Sequence, residues 1–412
     1  MRIPYTNPFP PPAIIPPAAA TLQGAVAALE AFLLAPPTVS PASPAPATAI
    51  LSGAGLSVAS GLADYRGPKG TYRLNKAYRP IYHHEFLHNH ESRKRYWARS
   101  FLGWTSLHRA APNAAHHAIR DLARLGLVAS VVTQNVDSFH LRAHPAIPSV
   151  ELHGYLRSTV CTSCHAEFPR DALQADLARL NPRWAAVLDD ALAAGAFDHP
   201  GDPPGRAAGG GFRTNPDGDV DIPGAPYTSF RYPPCPRCLA DPPPLLSGSG
   251  GSSSGSGSGS RHTVAVDRDG AWVAPSTAGI LKPAVVLFGA SISPPVKQAA
   301  EDAIDLAGKL LVLGTSLATY SAWRLARRAK DRGIPIAVVN MGGVRGEEAF
   351  FDDVDPRQPG HQAVRTEIPT DQLLPALASH LHAKMTPGSL GASAGEARVA
   401  LENSSVFKDM LS

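Results

Sequence analysis

The chain is poor in cysteine and has no cluster of basic residues. All four of its cysteines fall into two Cys-x-x-Cys pairs, one formed by Cys161 and Cys164 and the other by Cys235 and Cys238. No cysteine is left over for a disulfide framework or a thiol nucleophile, which excludes both. The 38 lysines and arginines nearly balance the 34 acidic residues and form no block that could bind a phosphate backbone. We therefore expect no direct nucleic-acid partner.

The sequence also lacks an apolar run long enough for a bilayer. The longest helical one, Ala25 to Ala35, is interrupted by Glu30, whereas a spanning helix needs about 20 apolar residues. No apolar segment resembles a secretory signal. We therefore expect a soluble protein without a membrane partner. Residues 1–20 contain a single arginine and no acidic residue, which fits a transit peptide only partly, so targeting stays open.

Proline, by contrast, is abundant. It provides 41 of 412 residues, about twice its usual share, and proline-rich stretches should be linkers or loops because proline cannot enter helix interiors or central strands. We expect a Pro/Ala-rich segment at 1–47 with one helix, Thr21–Leu34, a main domain formed by 48–155 and 281–385, an inserted module at 156–280, and a flexible tail at 386–412. Residues 247–260 are only glycine and serine, which indicates a flexible loop that is either natural or engineered.

Short runs that are apolar throughout alternate with helical patterns. The predicted strands are Ala49–Leu51, Leu127–Thr133, Ala284–Phe288, Leu310–Leu313 and Ile336–Val339. The predicted helices between them are Asn113–Leu125, Val296–Ala307 and Ala322–Lys330. Such an alternation indicates a parallel sheet covered on both faces. We predict an α/β fold in which a Rossmann-like parallel sheet carries a smaller inserted module.

A glycine-rich turn follows the first strand. The run Gly53-Ala54-Gly55-Leu56-Ser57 allows close approach of the backbone to a pyrophosphate, and the next helix would offer its N-terminal N–H groups. The dehydrogenase fingerprint is missing, because Val58 stands where a third glycine belongs and no strand ending in an acidic residue follows about 20 residues on. An ordinary hydride-transferring enzyme is therefore disfavoured.

Three further motifs lie downstream in a fixed order. They are Asp64-Tyr65-Arg66, Thr133-Gln134-Asn135-Val136-Asp137 and Glu151-Leu152-His153-Gly154. Together with the glycine turn they resemble the sirtuin family from about residue 50 to residue 374. The run from Leu281 to Gly289 is similar to that family's substrate-pairing strand, and Gly314-Thr315-Ser316 and Val339-Asn340 are similar to its later nucleotide-binding turns.

Several longer stretches resemble the class II branch of the family, the branch of mitochondrial sirtuin four. They are Arg95–Arg99, Leu180–Trp184, Pro216–Val220 and Tyr320-Ser321. The resemblance implies an NAD-dependent protein lysine deacylase, a sirtuin-type transferase that releases nicotinamide, passes the acyl group to ADP-ribose and acts on acyl-lysine proteins. It also implies a mitochondrial matrix location, and we expect a monomer. Longer, lipoyl-type or glutaryl-type acyl chains are expected to be better substrates than acetyl.

The roles of the site residues follow from their chemistry and from the matched motifs. The unperturbed pKa of a histidine side chain lies near neutrality, and His153 is the expected general base. The expected NAD-binding residues are Gly53, Ala54, Gly55, Ser57, Asp64, Tyr65, Arg66, Gln134, Asn135, Asp137, Gly314, Thr315, Ser316 and Asn340. The expected substrate-binding residues are Val286, Leu287 and Gly289. The other histidines near these motifs are expected to be structural or surface residues, namely His83, His84, His116, His117 and His140.

The four cysteines supply four thiolates, the closed tetrahedral set of a structural zinc site. Cys161, Cys164, Cys235 and Cys238 are therefore the predicted ligands of one Zn²⁺. The two pairs stand about 70 residues apart, far beyond the usual 15–20 of a zinc ribbon, so the fold must bring them together. Unliganded structural cysteines and a redox Cys-x-x-Cys are the alternatives.

Three positions depart from the family pattern. Ala63 replaces the usual proline before the acidic residue of the cofactor loop, Ala290 stands where an acidic residue usually follows Phe-Gly, and His144 occupies a position where glycine is common. These changes spare the expected base. Two other activities stay open on the sequence: protein mono-ADP-ribosyl transfer at the same NAD site, and a weakly active NAD-binding scaffold.

Overall fold

The computed structural model describes residues 9–36, 48–76, 78–195, 215–222, 224–245, 260–352, 354 and 360–386. The predicted Gly/Ser loop, except Ser260, and the predicted tail, except its first residue, lie outside these residues. None of the helices in the described part of the chain has the length and apolarity needed to cross a membrane.

The strands are numbered in chain order. They are β1 Thr48–Ser52, β2 Val128–Thr133, β3 Ser149–Glu151, β4 Gly154–Cys161, β5 Glu167–Pro169, β6 Ala265–Val266, β7 Trp272–Val273, β8 Leu281–Val285, β9 Lys309–Leu313, β10 Ile336–Val339 and β11 Ala363–Thr366. The α-helices are α1 Leu22–Leu34, α2 Thr71–Leu74, α3 His83–His88, α4 His90–Arg109, α5 Ala114–Arg124, α6 Phe139–Ala143, α7 Arg170–Leu180, α8 Pro182–Ala193, α9 Pro236–Ala240, α10 Pro294–Asp305, α11 Tyr320–Asp331, α12 Glu348–Phe351 and α13 Thr370–Met385.

Six strands form a parallel sheet in the order β11-β10-β9-β1-β2-β3. The residues of β1, β9 and β10 are buried throughout, as expected for strands covered on both faces. The chain continues from β1 to one side of the sheet and resumes on the other side with β9. Ligands bind at such a reversal, outside the carboxyl ends of the strands.

Apolar helix faces cover this sheet. The N-cap Thr21 accepts a hydrogen bond from the Gly24 N–H at 3.1 Å, and α1 then buries residues at helical spacing. These residues are Ala25, Ala28, Leu29, Phe32 and Leu33. They pack with α5 and α13 in one core on one face of the sheet, whereas α10 and α11 contribute to a second core that contains Leu51, Leu310 and Val312.

A second, smaller sheet corrects one sequence prediction. The predicted buried strand Ala284–Phe288 is β8, Leu281–Val285, and it pairs antiparallel with β4 in the order β5-β4-β8 rather than joining the parallel sheet. A short apolar run carries no information about which sheet it joins. Here Leu281 of β8 pairs with Cys161, the last residue of β4, so the partner of β8 is the strand that ends at the first cysteine pair.

Candidate functional site

One large cavity, of about 1140 Å³, lies at the carboxyl ends of the parallel strands. Most of the residues expected to bind NAD or substrate line it: Gly53, Ala54, Gly55, Asp64, Tyr65, Arg66, Gln134, Asn135, His153, Val286, Leu287, Gly289, Gly314, Thr315, Ser316 and Asn340. The fold thus brings together motifs that are spread along the sequence from residue 53 to residue 340. Ser57 and Asp137 do not line the cavity but lie directly behind it.

Two glycine turns meet at the reversal between β1 and β9. The Gly55 N–H donates to the Gly314 carbonyl at 2.8 Å, and a Cβ added at Gly55 would lie 2.8 Å from that oxygen. Gly314 has a φ of +58°, and a Cβ there would come within 2.4 Å of the Leu56 nitrogen. Neither turn can carry a side chain at the contact. A 3₁₀ helix, Ala54–Ser60, follows the first turn in place of the expected α-helix.

The Gln-Asn-x-Asp motif crosses between these turns. Gln134 Nε2 donates to the Thr315 hydroxyl at 2.8 Å, and Asn135 Nδ2 donates to the Gly53 carbonyl and to Ser57 Oγ, both at 3.1 Å. Ser57 Oγ donates in turn to Asp137 Oδ2 at 2.7 Å. Burial raises the pKa of Asp137. These bonds fix the two carboxamides at the cavity wall.

His153 projects into the cavity between two fixed hydrogen-bond partners. Its Nδ1 lies 3.1 Å from the Gln134 carbonyl oxygen and its Nε2 lies 2.8 Å from Ser321 Oγ. Since a carbonyl oxygen can only accept, Nδ1 carries the proton and Nε2 accepts from the Ser321 hydroxyl. Desolvation lowers the pKa of His153 to about 4. The imidazole is therefore neutral near pH 7, with the Nε2 lone pair available to a substrate that displaces the Ser321 hydroxyl.

The Asp-Tyr-Arg segment forms a closed loop beside the first glycine turn. Asp64 Oδ1 accepts from the Gly67 N–H at 3.0 Å, and the Asp64 carbonyl accepts from the Thr71 N–H at 2.8 Å. The Arg66 guanidinium lies over the Tyr72 ring, 5.1 Å from its centre. Burial lowers the pKa of Arg66 from its usual range, so the arginine lines the cavity partly desolvated.

The segment expected to bind substrate begins beside His153, to which it is hydrogen-bonded. The Val286 N–H donates to the His153 carbonyl at 2.8 Å, the Phe288 carbonyl accepts from the His83 N–H at 2.9 Å, and the Leu287 carbonyl accepts from the Ala290 N–H at 2.9 Å. These bonds tie residues 286–290 to the histidine and to α3. Pairing with an extended peptide must then use other backbone groups of the segment.

A polar loop lies at the His153 end of the cavity. A Cβ added at Gly218 would lie 2.8 Å from Leu156 Cδ1, so the loop packs on the strand that begins directly after His153. Its neighbour Asp217 lines the cavity and accepts from the Tyr78 hydroxyl, 3.0 and 2.9 Å from its two oxygens. Asp219 pairs with the buried Arg99 at 2.5 Å. Burial raises the pKa of both carboxyl groups, that of Asp219 to about 7.

The four cysteines converge although the pairs are far apart in sequence. Their sulfur atoms lie within 4.8 Å of one another, and the Cys161–Cys238 and Cys164–Cys235 sulfur distances are both 3.6 Å. Tetrahedral zinc with a Zn–S bond of about 2.3 Å requires sulfurs roughly 3.8 Å apart. The geometry is consistent with a structural zinc held by all four thiolates, with no open position for a substrate.

Several cavity residues lie outside the sequence motifs, and four of them are relevant to the site. Ser321 contacts the base, Thr319 Oγ1 donates to Gln134 Oε1 at 3.0 Å, and Asp217 and Phe9 line the wall. Ser321 and Asp217 belong to stretches that resemble class II members, which was the available signal. Phe9 and Thr319 have no such signal, because only the folded chain places them at the cavity.

The chain matches the family model described as Sir2 family over residues 53–321. It is 38% identical over 73% of its length, and 83% of the relative, to the NAD-dependent protein deacylase SIR4 of Batrachochytrium dendrobatidis. It is 31% identical over 75% of its length, and 78% of the relative, to the mitochondrial NAD-dependent protein lipoamidase sirtuin-4 of Bos taurus.

A solved structure of a mutant Sir2 homologue in complex with ADP-ribose is similar to this fold. The TM-score is 0.50 at 20% sequence identity, over 87% of this chain and 96% of the other. At that identity the likeness concerns the fold alone. The match of the family model and the identity to the two relatives together show that this chain belongs to the Sir2, or sirtuin, family.

Proposed function

We propose that the chain is an NAD-dependent protein lysine deacylase in which His153 is the general base. The observation that carries the proposal is a buried imidazole, hydrogen-bonded to the Gln134 carbonyl, in one cavity with two glycine turns and the expected substrate segment. Sirtuins use NAD, and the family relation supports acyl-lysine proteins as substrates. The residues present fit such a cosubstrate.

The two turns support the placement of NAD. The backbone of Gly53, Ala54 and Gly55 lines the cavity where a pyrophosphate would bind, Arg66 offers a bidentate donor to it, and Gln134 and Asn135 face the nicotinamide ribose. Asn340 and Thr315 at the ends of β10 and β9 then take the adenosine half. NAD is consumed, which is consistent with the missing dehydrogenase fingerprint.

The proton transfer is assigned to His153 Nε2. The acyl oxygen of the substrate attacks the ribose carbon that carries nicotinamide, and nicotinamide leaves. His153 then accepts the proton of a neighbouring ribose hydroxyl, which attacks the resulting imidate carbon. Addition of water releases lysine and leaves the acyl group on ADP-ribose. Gln134 keeps the imidazole in the tautomer that this step needs.

The acyl group is proposed to be longer than acetyl and uncharged at its end. The cavity beside His153 is walled by Val136, Leu156 and Val285, and Asp217 lies at the same end. A carboxylate-ended acyl chain would be placed near the Asp217 carboxyl and away from water, which is unfavourable. This favours a lipoyl-type chain over a glutaryl-type chain, and the bovine relative, which is named a lipoamidase, is in keeping with it.

The test is a set of peptides of one sequence that carry acetyl, lipoyl or glutaryl lysine, assayed with and without NAD by mass spectrometry. We expect O-acyl-ADP-ribose and the highest kcat/KM for lipoyl-lysine. An acetyl value tenfold above every longer chain, about 1.4 kcal/mol in transition-state free energy, would contradict the chain preference. Asp217→Asn should raise kcat/KM for glutaryl-lysine and leave the acetyl value within about twofold.

The same assay separates the alternative activities. Labelled ADP-ribose retained on protein, without O-acyl-ADP-ribose, would indicate mono-ADP-ribosyl transfer. Absence of nicotinamide release with every acyl peptide would indicate a scaffold that only binds NAD.

We also propose a mitochondrial matrix location, supported by the bovine relative that is named mitochondrial. Fractionation of cells that express the full chain tests it, and recovery outside mitochondria contradicts it. A monomer remains the expectation for the purified protein, and sedimentation equilibrium measures its mass.

A further inference from the structure

The N-terminal segment, residues 9–16, is attached to the edge of the parallel sheet. Ile15 bridges Arg365 of β11, with backbone N–O distances of 3.0 and 2.6 Å. The buried Arg365 side chain donates to the carbonyls of Asn340 at 3.0 Å and Gly342 at 2.6 Å. One arginine therefore connects the N-terminal segment with the turn that follows β10.

The same segment then lies directly on that turn. A Cβ added at Gly343 would lie 2.1 Å from the Pro10 carbonyl oxygen and 3.0 Å from Phe9 Cβ. Gly342 has a φ of +86°, with nothing within 4 Å of an added Cβ. At position 343 the turn therefore contacts Pro10 and Phe9 and has no room for a side chain. At position 342 an added Cβ would meet only open space.

Phe9 lines the cavity together with Asn340, Met341 and Gly342. This is the end beyond the β9 and β10 turns, whereas His153 and Gln134 lie at the β2 side. With the reacting ribose at His153 and the pyrophosphate at Gly53, the adenosine half of NAD extends toward Phe9. Phe9 is half-buried at this wall, where its backbone neighbour Pro10 and its own Cβ lie against Gly343.

We propose that Phe9 is a cofactor-binding residue whose ring packs against the adenine of NAD, and that the N-terminal segment closes the adenosine end of the cavity. The inference rests on the proposed NAD site. It assigns a binding role to a segment that precedes the region matched by the family model, residues 53–321. An aromatic ring stacked on a nucleobase contributes about 1–3 kcal/mol by alanine substitution.

The test measures the Kd of ADP-ribose by calorimetry for the full chain and three Phe9 variants. We expect Phe9→Ala to raise the Kd of ADP-ribose about tenfold or more, and Phe9→Trp to keep this Kd within about threefold of the wild-type value. Phe9→Leu is the matched control, because it keeps apolar bulk without an aromatic face, and it should also weaken binding. In kinetics Phe9→Ala should raise the KM for NAD and leave kcat unchanged.

A purely structural role gives a different pattern. If Phe9 only packs on the turn, Phe9→Ala lowers the melting temperature and leaves the Kd of ADP-ribose unchanged, which overturns the inference. A wild-type chain that fails to bind ADP-ribose overturns the NAD site itself. Gly343→Ala supplies a second test, because the added Cβ displaces Pro10. This variant should weaken the binding of ADP-ribose although Phe9 is intact.

Discussion

At the residue scale, the site depends on the protonation state of one imidazole. His153 has one ring nitrogen on the Gln134 carbonyl and the other on Ser321 Oγ, and burial lowers its pKa to about 4. The unprotonated nitrogen faces the cavity. A neutral base at physiological pH results from position in the fold rather than from the histidine itself.

His153→Ala should reduce acyl transfer by about 10²–10⁴-fold, because the general base is removed. The measurement is kcat/KM with the preferred acyl peptide, accompanied by a melting curve that should be unchanged. Ser321→Ala is the matched control, since it removes a hydrogen bond to the same ring and keeps the base, so most of the activity should remain. Equal turnover of His153→Ala and the wild type would refute the assignment.

A second histidine group lies buried beneath the site. His140 Nε2 lies 2.8 Å from Ser52 Oγ, His140 Nδ1 lies 2.9 Å from His144 Nε2, and the His116 ring centre lies 5.2 Å from that of His140. Since Ser52 Oγ donates to Thr133 Oγ1 at 2.9 Å, His140 must donate to Ser52 and accept from His144. These histidines are structural, as expected for His116 and His140.

Stability should fall in mild acid because of this group. Burial lowers the pKa of His116 to about 3 and that of His140 well below 6.5, so the unfolded chain binds protons that the native chain does not. The contribution is complete above about pH 6.5 and declines as the pH falls toward the native pKa, by about 2 kcal/mol per neutral buried histidine at pH 5. Urea unfolding between pH 7.5 and 5 measures it. His116→Phe should flatten the slope, and an unchanged slope would contradict the explanation.

At the element scale, the ends of β1 and β9 are joined by glycine contacts. The Gly53 N–H donates to the Leu313 carbonyl at 3.0 Å, and the Gly55 N–H donates to the Gly314 carbonyl at 2.8 Å. The two turns are therefore one structural unit, and a change in either should affect both the sheet edge and the cofactor pocket.

Gly314→Ala should destabilise the fold and weaken the binding of NAD, because the added Cβ would lie 2.4 Å from the Leu56 nitrogen. Gly126→Ala is the matched control: Gly126 also has a positive φ, +77°, with nothing within 4 Å of an added Cβ. The control should lose only about 1–2 kcal/mol of stability, which is the strain of alanine in a left-handed conformation. Urea unfolding and ADP-ribose titration compare the two variants, and equal losses would show that crowding at the turn is unimportant.

At the scale of the whole molecule, the cysteine cluster belongs to the same core as β8, the strand that precedes the proposed substrate segment. Cys161, Cys235 and Cys238 pack in one apolar cluster with Trp97 of α4 and Leu281 of β8. Because Leu281 also pairs with Cys161 along the small sheet, loosening the cluster should disturb β8 and the segment after it. The parallel sheet has separate cores.

Cys238→Ala should lose zinc and lower the melting temperature, because a structural zinc contributes directly to folding. It should raise the KM for the acyl peptide several-fold more than the Kd of ADP-ribose, since the proposed NAD site lies at the ends of the parallel strands. Metal analysis, melting curves and ADP-ribose titration give the three values. Ser163→Ala, between the predicted zinc ligands Cys161 and Cys164, removes no thiolate and should keep its zinc. Well-folded wild-type protein without zinc would contradict the site.

The sequence by itself determined the α/β class, four of the parallel strands and the glycine turns. These features are local: runs such as Leu310–Leu313 are apolar throughout because both faces of a parallel strand are covered, and a tight turn needs glycine whatever surrounds it. It also predicted one four-thiolate set from the two cysteine pairs, and the fold brings those sulfur atoms within 4.8 Å of one another. The motifs that carry the expected cofactor residues are contiguous and could be read directly.

Tertiary structure decided the rest. The strand β3 has only three residues, and β11 contains Arg365 and Thr366, so neither forms an apolar run that stands out from a loop. The strand β8 pairs with β4, which ends at Cys161, and its own apolar pattern did not indicate that partner. Ser321 reaches His153 across 168 positions of the chain, and Phe9 reaches the turn after β10 through Arg365. Contacts of this kind depend on packing between distant elements, which no local pattern encodes.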